Sequence, residues 1–358
     1  MARTIVPFGP QHPVLPEPIH LTLTVEDEIV TEAVPALGYV HRGLESLADI
    51  RDHVQMIQVV ERVCGICSAL HAMCYTQGLE QMMGVEIPRR AEYLRTIWAE
   101  LHRMHSHLLW LGLYADAFGF ESLFMQFWRI RERVMDINEA TAGNRVIISV
   151  NVIGGVRRDI DAEQCKWILS ELDDIEKQIR ELQSTMLNDY TVKKRTVGVG
   201  VITKEQAIDL GAAGPVLRAS GVAQDMRSLG YAAYDDMGFE PIVETDGDCY
   251  ARGVVRFRET LQAIDILRKA IAGLPEGEIN VKVRGRPKGE VVSRVEQPRG
   301  ECFYYIKGDG TKNLDRLRIR TPTFANVPPL TAMLPGMELA DVPVIILSID
   351  PCISCTER

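Results

Sequence analysis

Residues 61–70 read ERVCGICSAL and place Cys64 and Cys67 three positions apart. The sequence ends in DPCISCTER, which repeats this spacing with Cys352 and Cys355. Two thiolates on a C-x-x-C turn can bind one metal ion together, so two such turns supply four soft sulfur ligands. That ligand set suits zinc, an iron-sulfur cluster or nickel. The residues alone predict a metal site and leave these three identities open.

The composition is that of a soluble protein with a substantial core. The chain has 358 residues, of which 46% are apolar and 25% charged, so it forms one large domain or two modest ones. Forty basic and forty-nine acidic residues give a net charge of -9 without a basic block, which excludes nucleic acid as a partner. We find neither a signal peptide nor an apolar run of about 18 residues, and we expect a cytoplasmic chain that can dock on a membrane protein.

Cysteines in a reducing compartment serve as metal ligands, catalytic thiols or buried apolar side chains rather than in disulfides. Structural zinc sites pair C-x-x-C turns about 15 to 20 residues apart, whereas about 284 residues separate Cys67 from Cys352. A structural zinc site is therefore the weaker interpretation. The other cysteines have no partner at ligand spacing and fit buried, apolar positions. They are Cys74, Cys165, Cys249 and Cys302.

Hydrophobic periodicity predicts a mostly helical α+β fold. Residues 19–34 alternate apolar and polar positions, as a half-buried β-hairpin does. Residues 89–115 repeat apolar positions every three or four residues after Pro88, which indicates a long helix with a core-facing stripe. Further helices are predicted at 121–141, 162–190, 204–212 and 257–273. Short strands are predicted in INVKVRG, GEVVSRVE and ECFYYIKGDG, which begin at residues 279, 289 and 301.

We expect one domain over residues 1–358, because no linker, repeat or low-complexity tract divides the chain. Within it, residues 1–60 form an N-terminal β element with loops, and residues 61–275 form a central bundle of long helices. Residues 276–358 form a small C-terminal sheet and contain the second cysteine motif.

The two cysteine motifs resemble a known family. RVCGICSALH and DPCISC are similar to the first and last motifs of the large, catalytic subunit of nickel-iron hydrogenases. Four more segments, GPQHP, GYVHRGLE, EQPRGE and RTPTFAN, are similar to the energy-converting, membrane-associated branch of that family. This branch includes Ech-type and carbon-monoxide-linked hydrogenases and is related to the quinone-site subunit of respiratory complex I. The resemblance implies a fold like that of the hydrogenase large subunit.

The resemblance also implies a bimetallic centre. Cys64 and Cys352 would be terminal ligands of nickel, and Cys67 and Cys355 would bridge nickel to an iron that carries carbon monoxide and cyanide. Four electron-donating thiolates suit nickel and leave a position where hydrogen can bind and split. A cysteine sulfur would accept the proton, a role that we assign to Cys355.

Further residues are assigned by the same resemblance. Arg299 of EQPRGE matches an arginine that lies over the site and offsets its negative charge. Thr323 of RTPTFAN matches a hydroxyl that hydrogen-bonds a cyanide. We expect His71, one helical turn after Cys67, and Asp350 to orient the ligands by hydrogen bonds. A core histidine and a helix-capping aspartate are the alternative interpretations.

Two glutamates are candidates for proton transfer and for a second metal. The family uses an N-terminal glutamate for proton transfer, near the position of Glu17; a solvated glutamate is the alternative. Glu45 aligns with a glutamate that holds magnesium together with a C-terminal histidine in many relatives. This chain has Arg358 instead, and a guanidinium cannot ligate a cation. The end at Arg358 resembles the form that a maturation protease leaves after it removes a C-terminal extension.

The remaining histidines have weaker assignments. His12, His41 and Tyr75 lie in stretches shared with the complex I relative, where the equivalent region meets quinone, and are candidates for a role in coupling. Three further histidines lie on the long helix at positions that do not converge on one point, so we expect a core or surface role for them. They are His102, His105 and His107.

The predicted function is the reversible interconversion of hydrogen with protons and electrons. Because no further cysteine cluster in the sequence can hold an iron-sulfur centre, the electrons require partner subunits. We expect a small subunit with a 4Fe-4S cluster, further iron-sulfur subunits that meet ferredoxin, and integral membrane subunits that move protons or sodium ions. The chain would then lie peripherally on the cytoplasmic side of the cell membrane.

Two alternative functions remain open. The first is a metal-free, quinone-site subunit of a complex I-like oxidoreductase, which has no use for four paired cysteines. The second is a zinc-stabilised interaction module, in which EQPRGE and RTPTFAN have no purpose. The metal content distinguishes all three interpretations.

Overall fold

The predicted long helix is present and forms the axis of the fold. The computed structural model describes residues 3–358, in which this helix runs over Arg89–Asp116. The α-helices are α1 (Met56–Glu61), α2 (Ser68–Met83), α3 (Arg89–Asp116), α4 (Glu121–Ala142), α5 (Ala162–Asn188), α6 (Tyr190–Thr196), α7 (Lys204–Asp209), α8 (Pro215–Ala219), α9 (Cys249–Ala272), α10 (Pro322–Met333), α11 (Val342–Ser348) and α12 (Ile353–Thr356). The strands are β1 (Arg3–Phe8), β2 (His20–Glu26), β3 (Ile29–Ala36), β4 (Asn151–Val152), β5 (Gly155–Val156), β6 (Lys288–Gln297), β7 (Gly300–Asp309) and β8 (Arg316–Arg320). Short 3₁₀ helices lie at Glu45–Asp49, Met226–Leu229, Tyr234–Met237 and Leu339–Asp341.

The stripe on α3 is buried against α4 and α9. Leu94, Ile97 and Leu101 are fully inaccessible, as the three-to-four-residue spacing predicts for a helix that faces the core. The Trp110 indole donates a hydrogen bond of 2.6 Å to the carbonyl of Leu347 and so ties α3 to α11. None of the helices within residues 3–358 has the length and apolar character needed to cross a bilayer.

Two small antiparallel sheets flank the bundle. The first pairs β1, β2 and β3 in sequence order, and its β2–β3 turn holds Asp27 and Glu28 at positive φ values of 50° and 66°. Left-handed backbone at both turn residues is the geometry that a two-residue hairpin loop requires. The second sheet pairs β6, β7 and β8, and its β6–β7 hairpin turns at Pro298 and Arg299. This hairpin places Arg299 at its tip.

The structure confirms the mostly helical α+β fold, the N-terminal hairpin and the C-terminal sheet. The prediction of a strand at INVKVRG is wrong. Only Asn280 of this segment forms a β-bridge, with Gly155 of β5. Because β5 is two residues long, it cannot pair with a full strand. The helix predicted from residue 257 begins earlier, where Asp248 accepts a hydrogen bond of 2.7 Å from the Ala251 N–H. The helix predicted over 162–190 divides into two because Asp189 caps α6.

A buried ion pair fastens α2 to α3. Both guanidinium nitrogens of Arg95 contact the Glu80 carboxylate, at 2.8 and 2.7 Å, and both side chains are buried. Arg95 also donates to the carbonyls of Val152 and Gly155, while the Gly154 N–H donates to Glu80 at 2.8 Å. The pair therefore also holds the β4–β5 hairpin against the bundle.

We predict that Glu80→Ala lowers the free energy of unfolding by about 3–5 kcal/mol, because it leaves the Arg95 guanidinium buried without its carboxylate. The exposed pair of Lys307 and Asp315, at 2.7 Å, is the control, and Asp315→Ala is expected to cost less than about 1 kcal/mol. Urea unfolding followed by circular dichroism measures both. Equal losses in the two variants would contradict the role assigned to the buried pair.

Candidate metal centre

The two cysteine motifs meet in the interior of the protein. The Sγ atoms of Cys64 and Cys352 are 3.3 Å apart, and those of Cys67 and Cys355 are 3.6 Å apart. All four side chains are buried, and three of the sulfurs, those of Cys64, Cys67 and Cys355, lie within 4.8 Å of one another. These separations are close to the edge, about 3.8 Å, of a tetrahedron with metal–sulfur bonds of about 2.3 Å. Cys352 lies outside this set of three but is paired with Cys64, so the four thiols form one buried group of soft donors for a metal centre.

Local structure directs the sulfurs inward. Cys67 immediately precedes α2, and Cys352 immediately precedes α12. Between Cys64 and Cys67 the chain turns so that the Ile66 N–H donates a hydrogen bond of 3.3 Å to the Cys64 sulfur. Amide hydrogens and helix starts favour a negative sulfur. The backbone of the first motif therefore favours a thiolate at Cys64.

The thiols influence one another's ionisation. Hydrogen bonds from Cys352, Cys355 and Cys67, with a smaller contribution from the charge of Arg299, hold the pKa of the Cys64 thiol well below its usual value. Burial, followed by hydrogen bonds to the other three sulfurs, raises the pKa of Cys355 well above its usual value. One negative charge is thus stabilised in the group, and further thiolates require a cation in place of the thiol protons.

Arg299 supplies a fixed positive charge at the site. Its Nη2 contacts Oδ1 of Asp350 at 2.7 Å, and its Nε donates to the backbone carbonyl of Asp350 at 2.9 Å. Asp350 adopts a left-handed φ of 58°, which ends the turn after α11 and sends the chain toward Cys352. Asp350 therefore holds Arg299 in place rather than bonding a cysteine directly.

A cavity of about 230 Å³ reaches the same residues. Its walls are mostly apolar and come from Leu109 and Leu113 of α3 and from Trp128 of α4. Its polar end is formed by Glu17 and Arg299, next to Cys352. Such a cavity admits a small apolar molecule and offers water few hydrogen-bonding partners.

Two threonines fasten the second cysteine motif. The Thr323 hydroxyl accepts a hydrogen bond of 3.2 Å from the Cys352 N–H, and the hydroxyl can still donate its own hydrogen. The Thr321 hydroxyl donates to the Cys355 carbonyl at 3.0 Å. Thr323, which the sequence singled out, lies at the site, and Thr321, two residues earlier in RTPTFAN, was missed.

Glu17 lies beside the second motif. Its carboxylate accepts hydrogen bonds from the Ile353 and Ser354 N–H groups and from the Ser354 hydroxyl. These contacts hold it one residue from Cys352, and the carboxylate also lines the cavity. Glu17 therefore lies between the cavity that reaches Cys352 and a partly buried segment of the chain.

Glu45 is bound by cationic side chains of the protein itself. Its Oε1 accepts from the Ile319 N–H at 2.8 Å and from Nε of Arg358 at 3.0 Å, and its Oε2 accepts from Arg318 at 2.6 Å. Burial raises the pKa of Glu45, but the Ile319 hydrogen bond and the two guanidinium groups outweigh burial and hold the pKa below its usual value. With both oxygens occupied and two positive groups beside them, these residues do not fit a magnesium ion.

His71 contacts the cysteine group. Its Nε2 is 3.5 Å from the Cys355 sulfur, and its Nδ1 is 2.8 Å from the Tyr304 hydroxyl. Burial lowers the pKa of His71 to about 4, so the ring is neutral near pH 7. A neutral ring between a hydroxyl and a sulfur can fix the direction of that sulfur by one hydrogen bond.

The other histidines and Tyr75 make mainly structural contacts. His12 stacks on Phe8, His41 contacts the carbonyl of Glu357 at 3.1 Å, and the Tyr75 hydroxyl donates to a backbone carbonyl at 2.8 Å. On α3, three histidines are fully buried, and one of them contacts the Ile66 carbonyl of the first motif at 3.4 Å. The buried histidines are His102, which makes that contact, His105 and His107.

Arg42 was missed by the sequence analysis, although it belongs to GYVHRGLE. Its guanidinium donates to the carbonyls of Arg62 and Val63 at 3.0 and 2.8 Å and to the carbonyl of Ser354 at 3.1 Å. One side chain thus joins the segment before Cys64 to the segment before Cys355. The position of Arg42 beside Gly43 in GYVHRGLE was the one signal in the sequence. Its carbonyl partners could not be predicted, because they come together only in the tertiary fold.

We predict that Arg42→Lys loosens the contact between the two motifs, because a lysine cannot reproduce a planar, three-carbonyl contact. Loss of charged hydrogen bonds worth about 1.5–3 kcal/mol corresponds to roughly a tenfold or greater rise in the rate at which a thiol reagent reacts with the four cysteines. Arg51→Lys, at an exposed position nine residues away, is the control. Peptide mapping by mass spectrometry measures the rates, and unchanged rates in Arg42→Lys would contradict the bridging role.

Comparison with known proteins identifies the family of the chain. Residues 117–286 and 283–358 match the family described as respiratory-chain NADH dehydrogenase, 49 Kd subunit, and residues 42–115 match nickel-dependent hydrogenase. The chain is 39% identical to the carbon monoxide-induced hydrogenase of Rhodospirillum rubrum over 100% of both chains. It is 40% identical to the membrane-bound hydrogenase subunit alpha of Pyrococcus furiosus, over 99% of this chain and 87% of that one.

A solved structure gives the same result for the fold. The structure of the membrane-bound sulfane sulfur reductase, an archaeal respiratory membrane complex, matches with a TM-score of 0.95 at 31% identity, over 99% of this chain and 98% of that one. The matches extend over nearly the whole length of this chain, so they cover both cysteine motifs and the bundle between them. The chain belongs to the oxidoreductase family that contains the 49-kDa subunit of complex I and the related subunits of membrane-bound hydrogenases.

Proposed function

We propose that the chain is the catalytic large subunit of an energy-converting nickel-iron hydrogenase, which interconverts hydrogen with protons and electrons. The observation that carries the proposal is the meeting of four buried thiols, with sulfur pairs at 3.3 and 3.6 Å, from two motifs at distant positions in the sequence. The names of the two similar hydrogenases support it. The carbon-monoxide-linked and Ech-type branches are the classes that the proposal includes.

The thiols of Cys64, Cys67, Cys352 and Cys355 would hold the nickel and iron of such a centre. When bound, such a centre supplies an open position for heterolytic splitting of hydrogen. On binding, the cation would displace the four thiol protons to solvent, and the Arg299 guanidinium would offset part of the resulting negative charge. Asp350 contacts this guanidinium through both Nη2 and Nε and so holds it near the thiols whose charge it would offset.

The chain's own residues also serve access and proton movement. The apolar cavity that ends at Arg299 and Cys352 provides a route for a small, uncharged substrate. A proton on a cysteine sulfur needs an acceptor that can change its charge. Of the two carboxylates that line this cavity, Asp350 is paired with Arg299, and Glu17 is the candidate acceptor. Glu17 is held by Ser354 and the Ile353 amide, so its distance from the sulfurs is fixed.

The electrons require an assembly. The predicted partners are a small subunit with a 4Fe-4S cluster, iron-sulfur subunits that meet ferredoxin, and membrane subunits that translocate protons or sodium ions. The similar proteins carry the words membrane-bound and membrane complex in their names, which supports a peripheral position on a membrane complex. The cytoplasmic side and the maturation protease remain part of the proposal.

We predict that the purified complex shows one carbonyl band and two cyanide bands in its infrared spectrum, together with nickel and iron. Cys352→Ser is expected to lose the bands and the nickel, because it removes one of the four thiolates. Cys165→Ser, at a half-buried cysteine outside the group, is the control and is expected to keep them. A spectrum without these bands and zinc as the sole metal would contradict the proposal and favour the zinc-stabilised module.

We predict that Glu17→Gln keeps both metals but slows the exchange of hydrogen with solvent deuterons by about 10²-fold or more, the usual effect of removing a positioned acid–base group. The amide retains the size of the carboxylate and one acceptor oxygen, so the second motif stays in place. Glu28→Gln, at an exposed turn, is the control. Membrane-inlet mass spectrometry measures the exchange, and a wild-type rate in Glu17→Gln would remove Glu17 from the proton route.

A second candidate function is the metal-free quinone-site subunit of a complex I-like oxidoreductase. The match of residues 117–286 and 283–358 to the 49 Kd subunit family favours it. In that case the complex would contain no nickel, and quinone reduction would survive Cys352→Ser. The metal analysis and the infrared spectrum therefore decide between the two functions.

A further inference from the structure

A set of charged side chains is buried in the protein, and none of its members is a predicted metal ligand. It consists of four carboxylates, three guanidinium groups and one imidazole, each at most 3% exposed. We call it the ion cluster, and its members are Glu100, Arg103, His107, Arg218, Asp225, Arg227, Glu259 and Glu296. They come from α3, α8, α9, β6 and the segment around the second 3₁₀ helix.

Arg218 is the centre of the ion cluster. Its Nη1 contacts Glu296 at 2.7 Å and Asp225 at 3.2 Å, and its Nη2 contacts Glu259 at 2.8 Å. Three carboxylates therefore share one guanidinium. This arrangement leaves their mutual repulsion only partly compensated.

The other members compensate three of the four carboxylates. Asp225 has a second guanidinium, that of Arg227, at 2.9 Å, and Glu259 accepts from the imidazole of His107 at 3.0 Å. Glu100 contacts two guanidinium groups and the hydroxyl of a tyrosine. The three groups around Glu100 are Arg103, Arg227 and Tyr234.

The count of charges leaves one carboxylate without a counterion. Four carboxylates face three guanidinium groups, and burial lowers the pKa of His107 to about 4, so its ring is neutral and donates a hydrogen to Glu259. Arg256, which lies nearby on α9, stacks on Trp110 and donates to two backbone carbonyls; among the described residues it makes no ion pair with the cluster. A buried carboxyl group without a counterion takes up a proton.

Glu296 is the least compensated carboxylate. Its charged partner is Arg218, which two other carboxylates share, and its second contact is the Met226 N–H at 3.0 Å. Burial, and next the charge of Asp225, raise the pKa of Glu296 to about 7 against the opposing effect of Arg218. The charged or titratable groups that face Glu296 from the surrounding elements are Glu100, Arg103 and His107 of α3, Arg218 of α8, Glu259 and Arg256 of α9, and Asp225, Arg227, Tyr231 and Tyr234.

The β6–β7 hairpin connects Glu296 to the candidate metal site. The two-residue turn of this hairpin consists of Pro298 and Arg299, and Gln297 pairs with Gly300 on either side of it. Glu296 directly precedes Gln297 on β6. The turn is pressed against Gly214, where a Cβ atom would lie 2.2 Å from the Arg299 carbonyl oxygen. Gly214 immediately precedes α8, and α8 carries Arg218. Helix α8 and its first flanking residue therefore contact both Glu296, through Arg218, and the turn, through Gly214.

We propose that Glu296 binds one exchangeable proton for the ion cluster and that, through the β6–β7 turn, its protonation positions Arg299 beside the four cysteines. The first part concerns a proton-binding site in the protein itself and does not depend on a metal. The second part rests on the proposed function, because it concerns Arg299 as the positive group of a metal centre. Glu296 is a positioning residue in this proposal and does not touch the reacting atoms.

The test of the proton site uses infrared spectroscopy of the purified complex. The C=O stretch of a protonated carboxylic acid is expected near pH 6 and is expected to disappear with a midpoint near pH 7. Glu296→Gln should lack this titrating band. Glu301→Gln is the matched control, since Glu301 lies on the same hairpin but pairs with the partly exposed Arg294 and Arg320, and it should keep the band. A band that persists in Glu296→Gln overturns the proposal.

The stability of the protein gives a second measurement. The pKa of Glu296 is raised in the folded state, to about 7 from an ordinary value of 4.5, so the folded state holds this proton more tightly than the unfolded state. The stabilisation is complete below pH 4.5, declines as the pH rises toward 7 and is lost above it. Relative to Glu296→Gln, the wild type should lose stability over this window. A constant difference between the two across the window overturns the proposal.

Asp225→Asn keeps the test decisive if Glu296→Gln does not fold. It removes the negative charge that contributes to the raised pKa of Glu296, so the carboxylic acid band should titrate at a lower pH than in the wild type. An unchanged midpoint would assign the band to another group and overturn the proposal.

The positioning of Arg299 is tested on the same samples. The carbonyl and cyanide bands of the loaded centre should shift between pH 6 and pH 8 in the wild type and should stay at their low-pH positions in Glu296→Gln. Bands that shift equally in both overturn the positioning role. If these bands are absent from all samples, the proposed function and the role of Arg299 fail together, whereas the carboxylic acid band still decides the proton site.

Discussion

The rest of the structure depends on holding four sulfur atoms together in a dry interior. The sulfur pairs at 3.3 and 3.6 Å come from segments at the two ends of a long chain, so no local structure can bring them together. Four neighbouring thiols stabilise one negative charge among themselves, and further ionisation requires an external cation or fixed positive groups. The surrounding residues must therefore exclude water, supply positive charge and fix both motifs in one relative position.

Arginines supply positive charge and fix the two motifs, and the exposed Arg42 and the buried Arg256 do so by contacts with backbone carbonyls. Arg42 bonds three carbonyls in the two motifs, and Arg256 bonds the Ser348 carbonyl at the end of α11. Carbonyls at a helix end carry partial negative charge, so a guanidinium there is compensated without a carboxylate. These contacts fix the segment that leads into Cys352, while Arg299 is held by Asp350 in the same segment. Charge and position are thus supplied by the same side chains.

The sequence indicates the short-range features and leaves the long-range ones open. The helix Arg89–Asp116 follows from its apolar spacing, and the β2–β3 hairpin follows from alternation around an acidic turn. INVKVRG alternates equally well but has no strand beside it, because pairing is a tertiary property. Among the site residues, the family motifs locate the cysteines and Arg299. The ion cluster around Arg218 has no motif, since its members are adjacent only after the helices have packed.

The residues of the cysteine site and the residues of the core lie on different parts of the fold, which allows one architecture to serve more than one redox chemistry. All four cysteines lie on two short turns that precede α2 and surround the start of α12, whereas the long helices and the ion cluster contain the residues that hold the core together. Changes confined to those turns can replace the thiols without disturbing the packing of α3 against α4 and α9. The β6–β7 hairpin is the exception, because Glu296 belongs to the ion cluster and Arg299 to the cysteine site. In our proposal, protonation of Glu296 acts on the cysteine site through this hairpin.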